Sequence, residues 1–121
     1  MIRRGAYILL VSGACLGTPA FADWVSVAVN RGDGAIGFSA VGADRKVTMK
    51  AAEAACQKKS VRNDGCFSVL SSEQCLSVAK AGVQVFARDR ATVDEAEAAA
   101  LELCRPVGGD KCKIVRTRCA K

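Results

Sequence analysis

Seven cysteines and not one histidine frame the chemistry open to this chain of 121 residues. Without histidine there is no Ser-His-Asp or Cys-His nucleophile, no imidazole metal ligand and no ready general base at neutral pH. Cysteine thiolates bind zinc, but no two of them stand in the short C-x-x-C spacing that favours a zinc site. Paired carboxylates are the remaining route to hydrolysis, and glycosidase-type chemistry needs two of them converging on one cleft. Asp94, Glu95, Glu97 and Glu102 crowd a single helical stretch, where capping and solvation account for them, while Glu53 and Glu73 have no partner in view. The expectation is a non-enzymatic protein without catalytic, cofactor or metal residues.

The cysteines read instead as architecture. With Cys15 set aside they form two triplets, Cys56, Cys66, Cys75 and Cys104, Cys112, Cys119. Each triplet opens on an Ala/Glu-rich helical stretch (Lys50–Cys56, Glu95–Cys104), preceded by a strand-like run ending near Phe38 or Phe86. Phe38 to Cys56 is 18 positions, and Phe86 to Cys104 is 18 again. Equal spacing predicts two copies of one structural unit stapled by disulfides. Composition alone does not choose among the possible pairings, but repetition narrows them. If the halves are equivalent, Cys56 and Cys104 end their helices while Cys66 and Cys112 open the strands that follow. That favours Cys56–Cys66 and Cys104–Cys112, with Cys75–Cys119 left as a bridge between copies; a Cys56–Cys104 crosslink would contradict the scheme.

The elements that carry these sulfurs follow from periodicity and turn chemistry. Residues 24–29 alternate apolar with small or polar side chains as a half-buried strand does, Asn30–Gly34 is dense in turn formers, and 35–40 reads as the partner strand. Met49, Ala52, Ala55 and Cys56 recur at helical spacing, Ser60–Gly65 breaks the helix, and 66–70 resumes as a strand. Leu76-Ser77-Val78-Ala79 then echoes Val25-Ser26-Val27-Ala28, with a turn at 80–82 and a strand over 83–87. Thr92 and Glu95 form a capping-box pattern, each side chain satisfying an orphan backbone amide, and Asp94, Glu95 and Glu97 sit at the favourable positive end of the helix. Val93, Ala96, Ala100, Leu103 and Cys104 make its apolar stripe, Pro106 and Gly108-Gly109 stop it, and 112–119 is the last strand. The predicted class is α+β: two pseudo-repeated strand–strand–helix–strand units, an antiparallel sheet with two helices on one face, and three disulfides.

At the N-terminus, Arg3 and Arg4 precede an apolar stretch too short to span a bilayer, and residues 18–22 end in a small-x-small cleavage pattern. Cys15 does not read as a lipidation site, because Ser12 stands three residues before it where an aliphatic residue is expected. The organisation expected is a signal peptide over 1–22 and a single disulfide-stabilised domain over 23–121, with internal repeats at about 24–75 and 76–119. Removing Arg3 and Arg4 from the 18 basic residues leaves 16 against 12 acidic, a net charge of +4 on the mature chain. Export, an oxidising compartment and a periplasmic or secreted location follow from the leader and the sulfur content, with no membrane span once the leader is removed.

The mature chain's basic residues cluster at its end: Lys111, Lys113, Arg116, Arg118 and Lys121. They read either as a binding surface for an acidic protein or cell-wall polymer, or as a charged edge strand guarded against aggregation. Nucleic acid is not the expected partner, since export removes it and aromatics are not interleaved with the basic residues. Trp24 reads as a core anchor or, alternatively, as part of a ligand surface. Arg31-Gly32-Asp33 spells an adhesion tripeptide but sits in a plain turn.

The layout from Trp24 to Cys119 resembles a family of small exported bacterial proteins catalogued as a domain of unknown function, number 4189. The matching features are the Trp24 strand, Gly37-Phe38, the helix ending at Cys56, the Cys66–Leu70 and Cys75–Ala79 strands, and the Asp94–Cys104 helix. The closing Gly108–Cys119 run is the most specific. The chain departs from the family in having a single Gly-aromatic pair. The resemblance implies a fold and a compartment and no established activity.

Together these readings predict an exported binding module for a macromolecular target in the bacterial envelope or outside the cell. Its sharper form is an inhibitor or immunity protein against a hydrolase. A small carboxylate-dependent hydrolase and a structural or stress-related envelope protein are the alternatives.

Overall fold

A computed structural model describes residues 22–62 and 64–121. The expected leader, apart from Ala22, and Cys15 lie outside the described residues. Six strands and two helices follow in the order β1 (Val25–Val29), β2 (Ile36–Phe38), α1 (Arg45–Lys59), β3 (Phe67–Ser72), β4 (Cys75–Ala81), β5 (Gln84–Arg90), α2 (Val93–Gly108) and β6 (Lys113–Cys119). The class is α+β with three disulfides and a repeated strand–strand–helix–strand unit. The strands divide into two antiparallel sheets of identical topology, β2-β1-β3 and β5-β4-β6, each with the unit's first strand in the centre.

The layering differs from one sheet with both helices on one face. Val25, Val27 and Val29 pack with Leu76 and Val78 in a core between the two sheets. Ala28 packs instead with Ala52 and Cys56 of α1, and Ala79 and Ala81 with Ala100 and Cys104 of α2. The result is a four-layer sandwich in which each helix covers the outer face of its own sheet. The cause is legible in β1, where all five residues are buried rather than alternately exposed. Small side chains at Ser26 and Ala28 make the second face a seat for a helix instead of a solvated surface.

The equal 18-residue spacings prove not to be structurally equivalent. Val27 pairs with Phe38 and Ala28 with Gly37, whereas Val78 pairs with Ala87 and Ala79 with Phe86. Relative to the common central strand, the second copy is therefore shifted by one residue, and a one-residue shift changes the face. Phe38 points into the core between sheets while Phe86 packs under α2.

Helix α1 begins at Arg45, ahead of the apolar repeat, because the Asp44 side chain accepts from the Val47 amide and caps a solvent-facing first turn. Helix α2 runs through Pro106 rather than stopping there, and ends at Gly109 with φ 55°. Proline removes the bond to the Glu102 carbonyl, but that turn is exposed and water can replace the bond. Thr92 Oγ1 accepts from the Glu95 amide at 3.2 Å. The Glu95 carboxylate accepts from the Thr92 hydroxyl at 3.1 Å rather than from a backbone amide, so the capping is one-sided.

The bridges are Cys56–Cys66, Cys104–Cys112 and Cys75–Cys119. The first two tie each helix to the start of the strand after it. Cys75 belongs to β4 and pairs in register with Cys119 of β6, so the third bridge lies within the second sheet and does not join the copies.

Candidate binding groove

Four edge strands border the sandwich, and depressions open at both seams. One of about 410 Å³ is bordered by Ile36 of β2 and Val115 of β6. Others lie between β3 and β5, which the Ser72 hydroxyl and Asp89 carboxylate join at 2.8 Å. Two adjoining depressions of about 170 and 320 Å³ follow this seam and share Val29, Arg31, Val85 and Phe86 as lining. The walls come from three layers: Val69 and Leu70 of β3, the consecutive residues 83–88 along β5, and Leu103 of α2. Val83 is 52% exposed and Leu103 36%.

Among the described residues, the charged side chains lining the two depressions are Arg31 and Arg88, and no carboxylate borders either of them. Arg31 follows β1 and Arg88 lies near the end of β5, so the sandwich unites residues 57 positions apart in sequence. The single ion pair among the described residues, Arg62–Asp64 at 3.0 Å, lies elsewhere. The groove therefore offers apolar walls and two guanidinium groups, a combination suited to an apolar segment carrying carboxylates or another anion.

The residues expected to form a basic surface are arranged differently. Arg116 lies over the Phe38 ring at 5.2 Å, and Arg118 donates from Nη1 to the Ser39 carbonyl at 2.9 Å. Both arginines thus reach from the second sheet to the first and bridge part of the β2/β6 seam, beyond which the Ile36–Val115 depression stays open. Lys113 shares their strand face opposite Lys80, and Lys111 is on a short turn before β6. Trp24 is half-buried, outside the core clusters, with its backbone paired to Gly42 and the Arg45 guanidinium 5.7 Å from its ring.

Several of the carboxylates are bound into the fold. Glu53 accepts from the Ser68 amide and hydroxyl at 3.2 and 2.9 Å, and Glu97 accepts from Thr117 at 2.7 Å. Glu95 and Glu102 line one shallow depression on the outside of α2, together with Arg90 and Arg105. Asp33 accepts from the Ala35 amide, the Ser60 hydroxyl and the Val61 amide at 2.8–2.9 Å. These bonds, that from Ala35 foremost, hold its carboxyl below the usual range. The Asp64 carboxyl is lowered as well, chiefly by the Asn30 amide and then by Arg62. The Arg31-Gly32-Asp33 tripeptide is accordingly split, its arginine in the groove and its aspartate bound into the fold. No group of three or more metal-ligating side chains clusters among the described residues.

Sequence reasoning did not find the groove. Arg31 reads as a turn residue and Val83–Ala87 as an ordinary strand, and only the pairing of the two sheets brings them to one seam.

Fold and groove define a small disulfide-braced α/β/β/α sandwich with a repeated half. The chain belongs to the family described as domain of unknown function DUF4189, whose model matches residues 24–119. No curated protein and no solved structure matches it.

Proposed function

We propose that this protein is an exported, non-enzymatic binding module that takes an anionic macromolecular partner at the β3/β5 seam. The observation that carries the reading is the groove at this seam, which combines apolar side chains with two arginines and, among the described residues, no carboxylate. Three disulfides support an oxidising, periplasmic or extracellular setting. Cross-bracing also limits the ordering cost of association, which favours a sharper form of the reading: an inhibitor or immunity protein against an envelope hydrolase.

The test is purification of the tagged, exported protein from its own envelope fraction after mild crosslinking. A stoichiometric partner is the expected result. Recovery of the protein alone, from both envelope and medium, overturns the reading. Hydrolytic activity of the partner that is unchanged in the complex removes the inhibitory form.

A further inference from the structure

The four edge strands are not protected alike. Strand β2 is only three residues long. Strand β3 carries an extra residue at Val69, a bulge opposite Val27/Ala28, and β6 carries one at Val115 opposite Val78/Ala79. Lys113, Arg116 and Arg118 add charge to β6. Short strands, bulges and charges are the devices that stop a sheet edge from recruiting another strand. Strand β5 has seven residues in unbroken register with β4 and no bulge; its charges, Arg88, Asp89 and Arg90, are confined to its C-terminal end and leave Gln84-Val85-Phe86-Ala87 uncharged. It is also the strand that lines the groove along consecutive residues 83–88.

From this contrast we infer that β5 accepts an extended, acidic and apolar segment of a partner protein as a seventh strand. The inference rests on the binding reading above and names its mode. In an antiparallel ladder alternate residues turn their N–H and C=O groups away from the paired neighbour, so β5 offers a free row of both to a chain in the groove. Alternate side chains of that chain meet Val69 and Leu70 on one side and Leu103 on the other, while its carboxylates meet Arg31 and Arg88. A second copy of this protein is the wrong occupant. Pairing β5 with β5 would gather Arg31 and Arg88 of both chains at one edge, where like charges repel.

The probe is a fluorescent nonapeptide of alternating valine and threonine with glutamate at both ends, measured by anisotropy against the oxidised, exported protein. A lysine-ended peptide and dodecanoate serve as comparisons. The glutamate-ended peptide should bind about tenfold more tightly than the lysine-ended one, and Arg31→Glu with Arg88→Glu should reverse that order. Both arginines are exposed, so the variant should fold as the parent does. Amide exchange at Val85–Arg88 should slow on binding. Equal affinity for the two peptides, binding without protection of β5, or displacement of the peptide by dodecanoate overturns the inference. So does protection of β5 through dimerisation without peptide. An envelope partner that still co-purifies with the Arg31/Arg88 variant sinks the β5 mode alone; absence of a partner with either protein sinks the binding reading.

Discussion

The two halves of the sandwich share a topology and fasten it differently. In the first half the helix rests on Gly37 of β2, where an added Cβ would collide with the Cys56 amide nitrogen and the Ala52 carbonyl. The corresponding position in the second half is Phe86, and the close approach moves to the helix, where Gly108 backs onto Ala81 and Cys112. Where β4 begins with a cysteine bridged to β6, β1 is preceded by Trp24 hydrogen-bonded to Gly42 at 2.7 and 3.0 Å. The Asn30–Gly34 loop of the first half is stitched by Asn30 and Asp33 side chains, while the second half turns in two residues at Gly82, φ 64°. Duplication preserved the strand order, and side chains at the same places in the two halves took different work. The groove is lined by edge strands of both halves, β3 of the first and β5 of the second.

If covalent bracing distinguishes the second half, its removal should have the largest effect. Cys75–Cys119 spans 44 residues against 10 and 8 for the other bridges. In the chain-entropy account, replacing that pair by alanines should cost about 4 kcal/mol, against about 3 kcal/mol for either short bridge. Chemical denaturation of each double variant, with the other bridges intact, measures the order. A larger loss at Cys104–Cys112 would show that native contacts outweigh loop length.

Gly37→Ala should come next, because the atoms in its way are backbone and belong to a packed helix. An expected loss of about 1–3 kcal/mol would appear in thermal or denaturant unfolding. Ala87→Gly, one position from Phe86 on the opposite face, leaves that layer free of steric conflict and should cost about 1 kcal/mol through backbone entropy. Similar losses for both would remove close approach as the feature that sets the first half apart.

Much of this difference lay beyond the reach of sequence. The α+β class, the two units and the three bridges were legible, since Ala-rich stripes ending in cysteine and the Leu76–Ala79 echo of Val25–Ala28 are local patterns. The layering was not. Alternation at residues 24–29 implies one wet face, and only the smallness of Ser26 and Ala28 hints that a helix covers it. The register was masked by an arithmetic match, because counting from Phe38 and Phe86 to the cysteines cannot sense that the connections differ by one residue. The groove escaped altogether, since neither Arg31 nor Arg88 belongs to a local motif. The clustered C-terminal charges, which do, include two arginines engaged in contacts across the opposite seam.

Those contacts give the next comparison, between a seam bridged by two arginines and one bridged by Ser72 and Asp89. Arg118→Ala removes a charge-assisted bond to the Ser39 carbonyl, and Arg116→Ala removes the contact over Phe38. Each should cost about 0.5–2 kcal/mol. Amide exchange should accelerate in β2 and β6 before it does in β3 or β5. Acceleration spread evenly over both seams would mean that the arginines do not discriminate between them.

The smallest expected effect separates the halves by acid. Asp33 and Asp64 both have carboxyls lowered from the ordinary value of 3.8, and both fasten the first half's loops. A carboxyl with a depressed folded-state pKa favours folding above the unfolded value, and that contribution fades as pH falls through the folded one. Near neutrality the stitching is complete; below about pH 4 it should weaken, while Gly82 and the disulfides of the second half carry no carboxylate to lose. Amide exchange at Ala35 and Val61, whose N–H groups donate to Asp33, should quicken on acidification relative to intrinsic rates. Asp33→Asn should leave these sites less protected already at neutral pH and flatten their acid response. Equal acid sensitivity in the β4–β5 hairpin would show that the loops of the two halves are not held by different means.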